Sequence, residues 1–227
     1  MKKLFLIPWM LLAILVSTTA CSEDEPLAEG QEQTTPGGNE EGGSNEDNDE
    51  NEPSGNEDGT EGHYLVVYCS RTGNTERMAQ TIQSALNCDI IVVEPETPYE
   101  EDYNAMLDRA QDELDAIGQG NYPAITTSVE SFADYDIVFV GYPIWFGHMA
   151  TPMQTFLHNH SSLLAGKHIA LFASSGSSGI STSERDAVSL VPDATFEESL
   201  LLTSSSLGDM ETRISAWLEE LGANREE

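Results

Sequence analysis

Six consecutive residues, Ser70-Arg71-Thr72-Gly73-Asn74-Thr75, bring together three hydroxyls, an amide, a glycine and one cation. Hydroxyls and amides donate hydrogen bonds to an anion, and a glycine lets the backbone itself approach. The segment joins an apolar run, Tyr64 to Cys69, to a stretch with helical spacing, Thr75 to Leu86. A loop that opens a helix offers backbone N–H groups with no internal partner, at the positive end of the helix dipole. The predicted chemistry is anion capture. The loop has no Lys and a single Arg, which separates it from the nucleotide-triphosphate loop, where a Lys is required. A terminal phosphate monoester, held mostly by neutral donors, is the fitting ligand.

A second stretch, Tyr142 to Ala150, reads Tyr-Pro-Ile-Trp-Phe-Gly-His-Met-Ala and follows the apolar run Asp136 to Gly141. Large apolar groups on a loop, Trp145 and Phe146 above all, are costly to expose unless something flat covers them. A third stretch, Ser174-Ser175-Gly176-Ser177-Ser178-Gly179, follows the run Lys167 to Ala173 and contains only small residues. Its side chains add little bulk, so its backbone N–H groups are free to face a ligand.

The elements that must position these stretches alternate along the chain. Strands are expected at 64–69, 89–93, 136–141, 167–173 and 199–203, the first and third reading as unbroken apolar runs typical of strands buried on both faces. Helices are expected at 75–86, 100–118, 151–158, 183–191 and 209–221, from apolar spacing such as Met78, Ile82 and Leu86, or Tyr103, Met106, Ala110 and Leu114 on one inward face. Thr151 reads as an N-cap with Pro152 in the first turn. Trp217 falls on the inward face of the last helix and reads as core. The fold class is therefore α/β, a doubly wound parallel sheet with helices on both faces, and ligands of such sheets bind at the carboxyl ends of the strands.

The stretch Ser70 to Thr75 resembles the flavodoxin family, whose phosphate loop is Ser/Thr-x-Thr-Gly-x-Thr; every specified position is matched. The resemblance spans nearly all of residues 64–222. It implies a five-stranded sheet in the order 2-1-3-4-5 and flavin mononucleotide (FMN) as cofactor. It also implies that Ser70, Arg71, Thr72, Gly73, Asn74 and Thr75 hold the phosphate. Pro143, Ile144, Trp145, Phe146 and Gly147 would form the loop against the isoalloxazine ring, and Ser174, Ser175, Gly176 and Gly179 the loop at its pyrimidine edge. A peptide near Gly147 would turn its carbonyl toward the flavin N5 on one-electron reduction. The third loop departs from many electron carriers of the family, because no Tyr or Trp is present to cover the other ring face. No insertion is expected in strand five, and the 100–118 helix is longer than in small bacterial flavodoxins.

The chain before this domain has a different character. Lys2 and Lys3 precede an apolar stretch, Leu4 to Val16, too short to span a membrane comfortably. Residues 1–20 with Cys21 resemble a bacterial lipoprotein signal, implying cleavage before Cys21 and a lipid on it. Residues 22–62 hold 15 acidic residues and no Lys or Arg; such a segment buries too little to offset its ordering entropy and is expected to be a disordered tether. Its reach is about 35 Å. Ser22-Glu23-Asp24-Glu25 resembles the surface-export signal of Bacteroidetes lipoproteins. The same stretch also suits a plain acidic linker on a periplasm-facing lipoprotein, so both faces of the outer membrane stay open.

The folded domain is expected at 63–227. After residue 62 there are 25 acidic and seven basic residues, a formal charge of −18. This argues against nucleic acid or an anionic membrane surface as partner and suits a basic redox partner. An apolar cover and this charge also disfavour a flavin anion, lowering the potential of the second electron step. Cys69 and Cys88 are placed too far apart for a disulfide. His158 and His160 lack a third ligand nearby, so no metal site is expected. Three functions fit: an FMN electron carrier of the envelope, an FMN-dependent NAD(P)H:quinone-type oxidoreductase, and a tethered binding module without redox work.

Overall fold

The computed structural model describes residues 62–223. The expected signal segment, Cys21 with its expected lipid, and the expected tether up to residue 61 lie outside the described residues. In chain order the elements are β1 (Tyr64–Tyr68), α1 (Asn74–Leu86), β2 (Asp89–Val92), α2 (Tyr103–Ile117), β3 (Ile137–Trp145), β4 (His148–Met149), α3 (Thr151–His160), β5 (His168–Ser175), α4 (Ser181–Leu190), β6 (Thr195–Phe196), β7 (Leu200–Thr203) and α5 (Met210–Glu220).

The unbroken apolar character of β1 has a direct cause. Successive side chains of a strand point to opposite faces, and both faces are covered. Leu65 and Val67 join one core cluster with Val138, Val140, Ile169, Met153 and Phe156. Tyr64, Val66 and Tyr68 join the other, with Phe139, Phe172, Met78, Ile82 and Trp217. Trp217 is 3% exposed, as a core residue should be. β1 pairs in parallel with β2 on one side and β3 on the other, and β3 pairs in parallel with β5. The order β2-β1-β3-β5 followed by β6 is the expected 2-1-3-4-5 arrangement.

The fifth strand differs from the expectation of an uninterrupted segment. It starts early, at Thr195, and is broken at 197–199. Thr195 and Phe196 pair with the start of β5, and Leu200–Thr203 with its end. At the break the indole N–H of Trp217 donates to the carbonyl of Glu198 at 2.8 Å, so a helix side chain takes a carbonyl from the interrupted strand.

The helices also begin differently. α2 starts at Tyr103, where the Asp102 side chain accepts from the Ala105 N–H at 2.9 Å; Tyr103 itself is 63% exposed rather than inward. Thr151 is the first residue of α3 and Ala150 its cap, because the Thr151 hydroxyl is drawn away to Glu113. His160 is buried between two backbone groups, its Nδ1 donating to Phe156 O at 2.8 Å and its Nε2 accepting from Val129 N–H at 3.0 Å. His158 stacks on Tyr122 with ring centroids 3.7 Å apart. Cys69 and Cys88 are both free thiols. Burial pushes the Cys69 thiol up to about 12.

Among the described residues, Thr155 Oγ1 in α3 is the buried side-chain polar atom without a hydrogen-bond partner. An unmatched hydroxyl keeps its desolvation penalty, whereas an apolar group of the same shape does not. Thr155→Val is therefore expected to raise the unfolding free energy by about 1 kcal/mol, read by urea denaturation; a loss of stability would show that the hydroxyl has a partner in solution.

Candidate functional site

The anion loop is built by the junction of β1 and α1. Gly73 caps the helix in the left-handed region (φ 83°), and its N–H donates to Ser70 Oγ at 3.2 Å. The first regular helix bond runs from Arg77 N–H to Gly73 O, 3.0 Å. The N–H groups of the first turn then have no partner further back in the helix. Thr72 is exposed, and Asn74 half-buried, at this end. Thr75 is 1% exposed, and its hydroxyl lies 2.9 Å from Ser174 Oγ. The two residues tie the first loop to the third. Arg71 swings outward: its guanidinium donates to Glu100 O and Glu101 O at 3.1 and 3.2 Å and lies 5.9 Å from the Tyr103 ring centre.

The second stretch is not a loose loop. β3 continues through Trp145, with Tyr142 opposite Ala173 and Pro143 opposite Ser174 on β5. The chain then reverses in a two-residue hairpin, with Trp145 opposite His148 and Ile144 opposite Met149. Phe146 and Gly147 both have positive φ, 53° and 86°, the pattern of a type I′ turn. Neighbouring strand residues point to opposite sides, so Trp145 and Phe146 part company. Trp145 is half-buried against Tyr99, ring centres 5.1 Å apart and nearly perpendicular. Phe146, 49% exposed, lines a separate cavity of about 450 Å³ with Tyr122, His148 and Asp186.

Nine of the fifteen expected cofactor residues meet around one cavity of about 250 Å³: Arg71, Thr72 and Asn74, then Pro143, Ile144 and Trp145, then Ser174, Ser175 and Gly176. Ser70 faces an adjoining cavity of about 440 Å³, which Arg71, Pro143 and Trp145 also line. Gly73 and Thr75 frame the anion loop from behind. Phe146, Gly147 and Gly179 are not brought to the cavity. Gly147 is at the hairpin tip, with nothing within 4 Å of an added Cβ. Gly179 is exposed beyond a turn that Ser175 Oγ closes by donating to Ser178 O at 2.7 Å.

The sequence reading leaves one side of the cavity open for lack of an aromatic residue in the third loop. The structure adds a further element to the lining: Tyr103, Met106 and Leu107 of α2 line the same cavity. Their helical spacing was legible; that the helix crosses the cavity was not, because spacing identifies an apolar face and not the surface that it meets.

Phe146 carries a testable strain. A bulky residue in the left-handed region costs about 1–2 kcal/mol, and Asn-Gly is the favoured pair for this turn. Phe146→Asn is expected to stabilise the domain by about 1 kcal/mol, seen as a higher denaturation midpoint; unchanged or lower stability would mean that the ring's packing outweighs the strain.

Residues 63–221 match the family model described as flavodoxin. A candidate flavoprotein from Bacteroides eggerthii DSM 20697 has a similar structure, with 34% identity, a TM-score of 0.60, and coverage of 70% of this chain and 98% of that one. A flavoprotein of Lactobacillus acidophilus NCFM, solved in complex with FMN, shares the fold at 23% identity and a TM-score of 0.54, covering 66% of this chain and 98% of that one. A curated relative, NAD(P)H dehydrogenase (quinone) of Paracoccus denitrificans (strain Pd 1222), is 34% identical over 119 residues, half of this chain and 54% of that protein. The chain thus spans about half the length of this relative. The described residues fall within one compact unit, and the B. eggerthii chain aligns with this chain over 98% of its own length. With the sheet order, the anion loop at the head of α1 and a family match over 63–221, the chain belongs to the flavodoxin family.

Proposed function

We propose that the domain binds FMN in the cavity at the carboxyl ends of β1, β3 and β5 and transfers electrons at the cell envelope. The observation that carries this is the convergence of three separate chain segments on one cavity beside the N-terminus of α1. The residues present fit the group. Thr72, Asn74 and the first-turn N–H groups of α1 supply neutral donors for a phosphate, and Gly73 keeps the backbone approachable there. Pro143, Ile144 and Trp145 on one side, with Met106 and Leu107 on another, supply apolar walls that exclude water from a flat ring. Ser175 and Gly176 offer backbone groups to a polar ring edge. Bound FMN would supply one- and two-electron redox chemistry, while the protein sets binding, orientation and access.

The deciding experiment is a visible absorption spectrum of the domain from residue 62, as purified and again after adding FMN and desalting. Retained flavin absorbance is expected. A colourless protein that ignores added FMN would overturn the redox reading and leave a tethered binding module.

A second reading, an FMN-dependent NAD(P)H:quinone-type oxidoreductase, is favoured by the curated relative and by the exposed Gly176–Gly179 edge of the third loop. Rapid mixing of the flavin-loaded domain with NADH and NADPH separates the two: fast bleaching supports the reductase, and its absence the carrier. The location is part of the proposal and rests on the sequence before the domain, with a lipid on Cys21 anchoring an acidic tether to the outer membrane. Membrane fractionation of a Cys21→Ser variant tests it, and release into the soluble fraction is expected. Protease treatment of intact cells decides between the cell surface and the periplasmic face. A basic redox partner suits the domain's charge of −18 (25 acidic and seven basic residues after position 62).

A further inference from the structure

Trp145 meets a polar cluster outside the Ser70–Thr75 loop, through Tyr99, which lines the adjoining cavity of about 440 Å³ beside it. Tyr99 meets Trp145 edge-on, with an interplanar angle of 80°. Tyr99 is itself fixed from several directions. Its hydroxyl donates to Glu113 and lies 2.7 Å from Thr151 Oγ1. Thr151, fully buried, donates to the same carboxylate oxygen of Glu113 at 2.5 Å. Arg109 lies over the Tyr99 ring, its guanidinium carbon 4.1 Å from the ring centre. The Arg109 Nε donates to the other oxygen of Glu113 at 2.8 Å, and its two terminal nitrogens donate to Pro98 O and Thr97 O, each at 2.9 Å.

This is an expensive way to join α2 to α3. The Arg109–Glu113 pair gives up part of its hydration, the side chains being 22% and 13% exposed, and apolar packing of the same volume often stabilises as well. What the arrangement provides is orientation. The planar guanidinium fork fixes three acceptors at once, and two hydroxyls converging on one carboxylate oxygen leave the Tyr99 ring little freedom to turn. Burial, then Glu113, push the Tyr99 phenol upward, so it remains a hydrogen-bond donor. The backbone of residues 97–98, just before Tyr99, is clamped by the same fork.

We propose that Arg109 and Glu113 are positioning residues of the cofactor site: they lock Tyr99, and through its edge contact set the orientation of Trp145 as the cavity wall. The inference rests on the FMN reading for the meaning of that wall, while the lock itself is a property of the protein alone. Neither Arg109 nor Glu113 lines the cavity.

The test uses the domain from residue 62, which contains two tryptophans, Trp145 and Trp217, labelled with 5-fluorotryptophan for ¹⁹F NMR. In Glu113→Gln and Arg109→Lys the Trp145 resonance is expected to shift or broaden while that of Trp217 stays in place. The dissociation constant for FMN, from quenching of flavin fluorescence, is expected to rise about tenfold, equivalent to about 1.4 kcal/mol. Tyr99→Phe keeps the ring and removes the hydroxyl; it serves if the charged variants fold poorly, and the same changes are expected at smaller size. A Trp145 resonance unmoved in all three variants, with FMN affinity within about twofold of the parent, would reduce the cluster to a stability element even if the melting temperature falls. If the parent domain does not bind FMN, the functional reading fails separately, and the Trp145 resonance of the flavin-free domain still decides whether the lock exists.

Discussion

Thr72→Glu is expected to weaken FMN binding at least about a hundredfold while leaving the fold intact. Thr72 lines the cavity and is exposed, so a larger side chain there displaces no core atom. A carboxylate added about 5 Å from a phosphate dianion, at an effective dielectric constant near 20, opposes binding by about 3 kcal/mol or more. The substitution also removes a hydroxyl donor. Riboflavin, which lacks the phosphate, provides the internal control: its affinity should change far less. Equal losses for FMN and riboflavin would place the effect on the ring side and remove the phosphate from this loop. The melting temperature should move by no more than about 3 °C, the equivalent of about 1 kcal/mol for a domain of this size.

Gly141→Ala is the second large effect, and it falls on stability. Gly141 sits in β3, paired with Tyr68 of β1 on one side and Phe172 of β5 on the other. A Cβ at this position would lie 2.1 Å from the Phe172 ring, far inside contact distance. Phe172 has no exposed surface and is packed with Trp217, ring centres 6.4 Å apart, so it has nowhere to swing. Forcing extra atoms into such a core costs about 1–3 kcal/mol, occasionally more. A loss of about 3 kcal/mol is expected here, lowering the melting temperature by about 8 °C. Combining it with Phe172→Leu should cost less than the sum of the two single changes, because the smaller side chain makes room for the methyl. Strict additivity in that cycle would show that the clash is relieved by another route.

The site was legible in the sequence to the extent that its chemistry is local. The expected anion loop is six contiguous residues at the junction of a strand and a helix, and its hydroxyls, glycine and amide can be read without any distant contact. The same holds for β1, β3 and β5, whose apolar runs encode burial on both faces. Phe146 was misplaced because composition cannot distinguish a loop from a hairpin. Once Phe146 and Gly147 take the turn, alternation sends Trp145 toward the cavity and Phe146 away from it. Thr151 was misread as a cap because a cap is a local pattern, whereas Glu113, 38 positions earlier, holds its hydroxyl.

By itself, then, the sequence determined the alternation of strand and helix, the parallel sheet and the place of the Ser70–Thr75 loop at the head of α1, because each depends on periodicity or on residues adjacent in the chain. Only the tertiary structure decided which apolar face covers the cavity, where the fifth strand breaks, and how Arg109, Glu113, Tyr99 and Thr151 gather behind Trp145. The contacts of Thr151 with Glu113 and of Trp145 with Tyr99 join residues tens of positions apart. Their energies depend on distance and direction in space, which no spacing along the chain records.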